Sequence, residues 1–407
     1  MKALAAAFIS ALLFSIIAGT LLIGLVYADL SLPELPPPIY IRDDGSIDPP
    51  NAPIQRVGDT YTLTSGLSSV IEVQRDNIII DGAGMRLRKP PVNTDVPMVP
   101  VGWLPSIQFW GRSNITIRNI EFNGCYTGMK IGNSSGITIT NNTIIHNIEI
   151  GIYLYNCSNS SILVNYLFDN SKAIEVDGEQ IDIKYNLIAE SRSDAFWGGA
   201  NNSNIIGNNF VGSKKCGLFI HGSFNSIIGN NFEKNKNGVY FFGSLCPGNN
   251  IIYHNNFINN LEQFGAREQN IFDNGKEGNY WSDYNGSDTN GDGIGDTPYI
   301  INENNTDKFP LMQPTPVPDN LKYNLSSTQT NQTTTPTPSP TPQPTPNQTP
   351  TLIPSNNKTE SITNPASEYS TTTWTAAAIL SVIIITTVFL IYHKKHNNKQ
   401  NTLTLSL

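Results

Sequence analysis

Charge is scarce in this 407-residue chain: Asp, Glu, Lys and Arg together make up 14% of it, where about a quarter is usual. A helical bundle needs charged residues on its wet faces, so that architecture is excluded. Basic clusters are missing outside the extreme C-terminus and the net charge is −8. Both facts exclude nucleic acid as a partner. Neither Walker nor Rossmann glycine signatures occur, which removes support for nucleotide chemistry. Cysteine is rare too, at Cys125, Cys157, Cys216 and Cys246. No CxxC spacing points to zinc, and in an exported domain disulfides are permitted without the spacing fixing a pairing.

Long apolar runs occur only at the two ends. Met1–Ala28 opens with Lys2, continues apolar and ends in Val26-Tyr27-Ala28, which predicts a secretory signal cleaved after Ala28, or else an uncleaved anchor. Trp374–Tyr392 is long enough to cross about 30 Å of hydrocarbon and has an aromatic at each end. His393-Lys394-Lys395-His396 and Lys399 follow it, so residues 393–407 read as a cytoplasmic tail. Residues 313–373 are rich in Thr and Pro, with Thr-Pro repeats at Thr335–Pro346. Proline removes donors and favours an extended spacer over a core. Asn-x-Ser/Thr sequons at Asn324, Asn331, Asn347 and Asn357, and others such as Asn114, Asn133 and Asn156, suit a glycosylated exported chain. The expectation is a single-pass cell-membrane protein with its bulk, Asp29–Met312, outside.

That bulk is repetitive. An inward apolar position recurs as Phe122, Ile144, Phe168, Ile188, Phe210, Phe232 and Phe257, with Asn two residues earlier at Asn142, Asn186, Asn208, Asn230 and Asn255. A second phrase keeps the same beat: Gly128-Met-Lys-Ile, Gly151-Ile-Tyr-Leu, Ala173-Ile-Glu-Val, Ala195-Phe-Trp-Gly, Gly217-Leu-Phe-Ile and Gly238-Val-Tyr-Phe. A period near 22 residues with alternating short strands and no helical period predicts a solenoid of β-coils. Recurrent Asn predicts side-chain ladders between coils, placed at turns where Asn tolerates the left-handed region. The fold expected is all-β, a parallel β-helix over residues 29–277 with a cap at 278–312.

The residues Val57-Gly-Asp-Thr-Tyr-Thr-Leu63, Asn77-Ile-Ile-Ile-Asp-Gly-Ala-Gly84, the Asn-Asn-Phe coils and Gly278-Asn-Tyr-Trp-Ser-Asp-Tyr284 carry a family resemblance. They resemble the right-handed parallel β-helices of the pectate-lyase-like superfamily, and more narrowly the NosD-type, carbohydrate-binding-and-sugar-hydrolysis (CASH) domains of archaeal surface proteins. The resemblance implies the fold and leaves activity open among lyases, hydrolases, adhesins and scaffolds. Its family name implies copper, but His146, His221 and His254 are scattered and no Met-x-x-Met occurs, so copper finds no support in the residues.

Aligning the second phrase places Tyr153, Tyr155, Trp197, Phe219, Tyr240 and Phe242 on one outward face, with Lys130, Glu175, Asp177 and His221. A flat aromatic strip suits sugar rings, unless the insertion Pro90–Pro105 or the C-terminal segment covers it. The leading expectation is therefore a surface protein that recognises polysaccharide or envelope glycan, or serves as a scaffold or adhesin. The alternative is a polysaccharide lyase or glycoside hydrolase using Glu175, Asp177 and His221, although no Arg or Lys is expected beside these carboxylates. Asp288-Thr-Asn290-Gly-Asp292-Gly-Ile294-Gly-Asp296 has the oxygen spacing of a calcium loop, lacking the Glu at its twelfth position. It predicts structural calcium held by Asp288, Asn290, Asp292, Ile294 and Asp296, with Asp283 or Asp307 as a further ligand.

Overall fold

The structure, a computed structural model, describes residues 36–88, 105–242 and 248–321. The signal segment, most of the Pro90–Pro105 insertion, Cys246, nearly all of the Thr/Pro stalk and the Trp374–Tyr392 run lie outside the described residues. Within them every element except one 3-10 turn, Asp319–Leu321, is a strand, and no helix there is long and apolar enough to cross a membrane.

The strands form a parallel β-helix with three ladders per coil. One ladder runs through Pro105–Trp110, Thr127–Gly132, Ile150–Leu163, Lys172–Lys184, Phe196–Asn201, Cys216–Ile220, Asn237–Phe241 and Glu262–Gly265, each pair in parallel register. The long strands Ile150–Leu163 and Lys172–Lys184 bend into a second ladder with Thr138–Thr140 and Asn204–Ile206. The third ladder is a nine-stranded sheet from Arg86–Leu87 to Tyr280–Trp281. Its last strand lies inside the segment expected to be the cap.

Alternation along each strand puts every second side chain in the bore. Ile117, Ile139, Ile162, Ile183, Ile205, Ile227 and Ile252 are all fully buried, as are Phe122, Ile144, Ile188, Phe210, Phe232 and Phe257. The sequence alignment slips at one coil. Ile144 pairs with Leu167, while Phe168 pairs with Ile145, and Leu167 is fully buried where Phe168 is half-buried outside against His146. Matching aromatic to aromatic misplaced that coil by one residue, because the pleat selects parity rather than residue type.

The correction completes the asparagine column. Asn142 donates through its N–H and Nδ2 to Asn165 Oδ1 at 3.0 and 3.1 Å. The same pair of bonds recurs from Asn165 to Asn186, Asn208, Asn230, Asn255 and Asn279 in turn. The left-handed residue expected at these asparagines is instead the one before each: Asn141, Val164, Tyr185, Gly207, Gly229 and His254. A second column runs Ser203–Asn225–Asn250–Asn270–Asn305. Buried amides are thus satisfied coil against coil, which removes the penalty for placing them in the core.

Candidate functional site

The registers fix two outward columns on the first ladder. Gln108, Lys130, Tyr153, Glu175, Trp197, Phe219, Tyr240 and Gly265 stand in the first. Trp110, Gly132, Tyr155, Asp177 and Gly199 stand in the second, and the His221 ring lies against Gly199. Trp197 stacks on Phe219 at 6.2 Å between centroids with planes 4° apart, and Phe219 on Tyr240 at 5.9 Å and 17°. Phe242 adds a ring 5.6 Å from Phe219. Tyr155 and Phe242 are 45% and 58% exposed. Burial, and after it Glu175 and Asp177, raise the Tyr153 phenol above its ordinary pKa.

Trp110, 41% exposed, extends the strip and was missed in the sequence. Its signal was present: Ser106-Ile107-Gln108-Phe109 fits the small–apolar–x–apolar frame one period before Gly128. The glycines of the strip also have a role. A Cβ on Gly132 would strike the Trp110 indole, and one on Gly265 would lie 2.7 Å from the Tyr240 ring. Their bareness lets rings of the preceding coil lie flat along the face.

The structure brings the catalytic candidates to this face but gives Glu175 and His221 other partners. Glu175 Oε2 is paired with Lys172 Nζ at 2.8 Å, and that ammonium sits 4.5 Å from the Trp197 ring centroid. The expectation of no basic residue beside the carboxylates is thereby corrected: Lys172, three residues before Glu175 on the same strand, reaches it with its long side chain. His221 packs edge-on to Trp197 at 5.5 Å. Beside the second column lies a groove of about 510 Å³ lined by Ser, Asn, Asp177 and Glu179.

Part of the possible cover is accounted for. The described C-terminal segment lies on the nine-stranded sheet instead of the strip: Asn256 Nδ2 donates to Thr315 O at 2.8 Å, and Asn209 Nδ2 donates to Leu321 O at 2.5 Å.

The Asp288–Asp296 loop is closed by its own main chain. Asp288 accepts the N–H groups of Gly291, Asp292 and Gly293, Asp292 accepts that of Ile294, and Asp296 accepts both donors of Thr289. Asp283 meets the Tyr299 hydroxyl, and Asp307 is fully buried beneath Asn279 and Trp281. Among the described residues no three His, Cys, Asp or Glu side chains converge to hold a metal. His146 and His254 bond to Asp169 and Glu277 on neighbouring coils; this donor set does not fit a copper centre. Cys125, Cys157 and Cys216 are free and buried, and burial pushes the Cys125 thiol up to about 11.

Residues 92–286 match the family described as "Periplasmic copper-binding protein (NosD)". Two relatives are each called "Probable ABC transporter binding protein NosD". One, from Pseudomonas aeruginosa, is 36% identical over 126 residues, 30% of this chain and 28% of its own length. The other, from Stutzerimonas stutzeri, is 40% identical over 97 residues, 23% of this chain and 22% of its own length. The chain thus spans about a quarter of these relatives. Among solved structures, a variant of the periplasmic alginate epimerase AlgG aligns over 50% of this chain and 49% of its own, with 13% identity and a TM-score of 0.41. By coil pattern and by sequence match, residues 92–286 are similar to the NosD family of β-helix proteins.

Proposed function

We propose that the β-helix is a recognition module for polysaccharide or envelope glycan, working outside the cytoplasmic membrane on an anchor formed by Trp374–Tyr392. The observation that carries this reading is the run of near-parallel rings Trp197–Phe219–Tyr240 on an outward face. Sugar C–H faces are apolar, so stacked rings about one coil apart receive successive residues of an extended chain, while flanking polar groups take the hydroxyls. Exposed apolar strips of this kind serve contact with a partner.

Catalysis is the second reading, resting on Glu175 and Asp177 sharing the strip. The test puts the purified full chain on a polysaccharide array and assays the same samples for new reducing ends and unsaturated products. Retention without product supports recognition; product lost in Glu175→Gln transfers the assignment to the enzyme reading; absence of both overturns glycan contact. Protease accessibility of the β-helix in intact cells tests the topology.

Calcium is proposed for the Asp288–Asp296 loop on donor spacing alone. Binding would have to gather carboxylates that now hold main-chain N–H groups. Calorimetric titration with calcium, expected to show one site that Asp292→Ala removes, checks it.

A further inference from the structure

The groove beside the strip begins one residue past the second column. Gly111 follows Trp110, Asn133 follows Gly132, Asn156 follows Tyr155 and Gly178 follows Asp177. The groove flanks the coils of Tyr153, Glu175 and Trp197 and stops before those of Phe219 and Tyr240, so a sugar chain stacked on Tyr153, Tyr155 and Trp197 presents one edge to it. Main-chain bridges align Ser113, Ser135 and Ser158 along its floor, and Asn156 Nδ2 donates to Asn133 Oδ1 at 2.8 Å. This lining of hydroxyls and amides is uncharged apart from two carboxylates, and among the described residues no Lys, Arg or His contributes to it.

The pairing of carboxylates divides at the groove wall. Four of them lie on the strand Lys172–Lys184. The two outside the groove are neutralised, Glu175 by Lys172 and Asp182 by Lys184, each at 2.8 Å. The two that line it, Asp177 and Glu179, have no ion-pair partner among the described residues. Nearby cations are used elsewhere: Lys172 lies on Glu175 and Trp197, and Lys130, in the first column, lies 5.6 and 6.0 Å from the Trp110 and Tyr153 rings.

We propose that this groove, its sequon asparagines Asn133 and Asn156 carrying no attached glycan, is the polar half of the glycan site and that it selects polymers with free amino sugars over neutral or uronic-acid polymers. The inference rests on the glycan reading above and adds the substrate class. An ammonium substituent directed into the groove forms charge-assisted hydrogen bonds with Asp177 and Glu179. An N-acetyl or hydroxyl group there makes only neutral ones, and a uronate brings a like charge against both carboxylates.

Three hexasaccharide probes on comparable linear backbones separate the cases: fully deacetylated chitosan, N-acetylated chitin and polymannuronate. Each is titrated calorimetrically into the full chain at a mildly acidic pH where the amine is charged. The expected result is chitosan binding about tenfold tighter than chitin, the margin of one charge-assisted over one neutral hydrogen bond. Asp177→Asn with Glu179→Gln should erase that margin while leaving chitin binding in place, and Trp197→Ala should weaken both. Equal binding of chitin and chitosan, or tighter binding of polymannuronate, overturns amine selection and leaves glycan recognition standing. Chitosan binding that survives both the double variant and Trp197→Ala is unspecific attraction of a polycation to an acidic protein, and it also overturns the proposal. Silence from all three probes removes this inference, and the array result then decides whether the broader reading falls with it.

Discussion

Three successive coils each place one aromatic ring in an inner column and another in an outer one. Inside, Phe210, Phe232 and Phe257 stack at 5.0 and 5.3 Å, and the column continues through Trp281 at 4.2 Å to Tyr299 at 4.3 Å. Outside, Trp197, Phe219 and Tyr240 repeat the arrangement at 6.2 and 5.9 Å. The same coil step generates both columns. The inner one is closed by the last coil and its phenylalanines are fully buried, whereas the rings of the outer one are only half-buried. Identical chemistry is therefore assigned to stability in one place and to contact in the other, and burial alone makes the difference.

The comparison breaks most readily from the inside. Phe232→Ala should cost about 3–5 kcal/mol in urea denaturation, with glycan affinity per folded molecule unchanged; a selective loss of affinity would show that the two columns are not separable. Next in size, Asp307→Ala should cost on the order of 3 kcal/mol, since it leaves the donors of Asn279, Trp281 and Phe309 buried and unmet. Burial raises the Asp307 carboxyl above the ordinary carboxylate range. Its titration therefore favours the fold below pH about 4 and loses that contribution as pH rises through the elevated value. Melts of the wild type against Asp307→Asn should show their difference shifting against the wild type across that window; parallel curves would place the carboxyl in the ordinary range.

On the outer column, Trp197→Ala should lower glycan affinity about 10- to 100-fold, roughly 1.4–2.8 kcal/mol, while changing stability by less than about 1 kcal/mol. A large stability loss with affinity retained would make the strip a packing surface. The smallest effect is expected from Gly132→Ala, whose methyl lifts the Trp110 indole off the face. A two- to fivefold loss of affinity, about 0.4–1 kcal/mol, would extend the binding strip to Trp110, and an unchanged affinity would end it at Tyr153.

The β-helix was legible because each coil repeats the same demands on parity and on amide pairing, so errors at one coil are outvoted by the rest. The slip at Phe168 survived because a single aromatic resembled its neighbours in type, and only the buried Leu167 exposes it. The strip was legible for the same periodic reason. Its partners were not: Lys172 and Glu175 are three apart, a spacing that strict strand alternation puts on opposite faces, and the groove lies where Tyr155 and Cys157 are separated by a register shift. Likewise Asp307 reads as one more acidic residue near an Asp-rich loop. Its contact with Asn279 bridges 28 positions, with no repeat to announce it.

Every asparagine in the central column both receives protons from the coil before and hands protons to the coil after, so each added coil recreates the demand it satisfies. Asp307 takes the donors of Asn279 at 2.7 and 3.2 Å, and its carboxylate, unlike the amide of each asparagine before it, has no N–H to pass on. It acts as a chain-stopping unit does in a polymerisation: growth ends where a monomer arrives with only one reactive end. The length of this solenoid is thus written into the hydrogen-bond valence of a single side chain, and whole coils inserted upstream of it would leave the terminus unchanged.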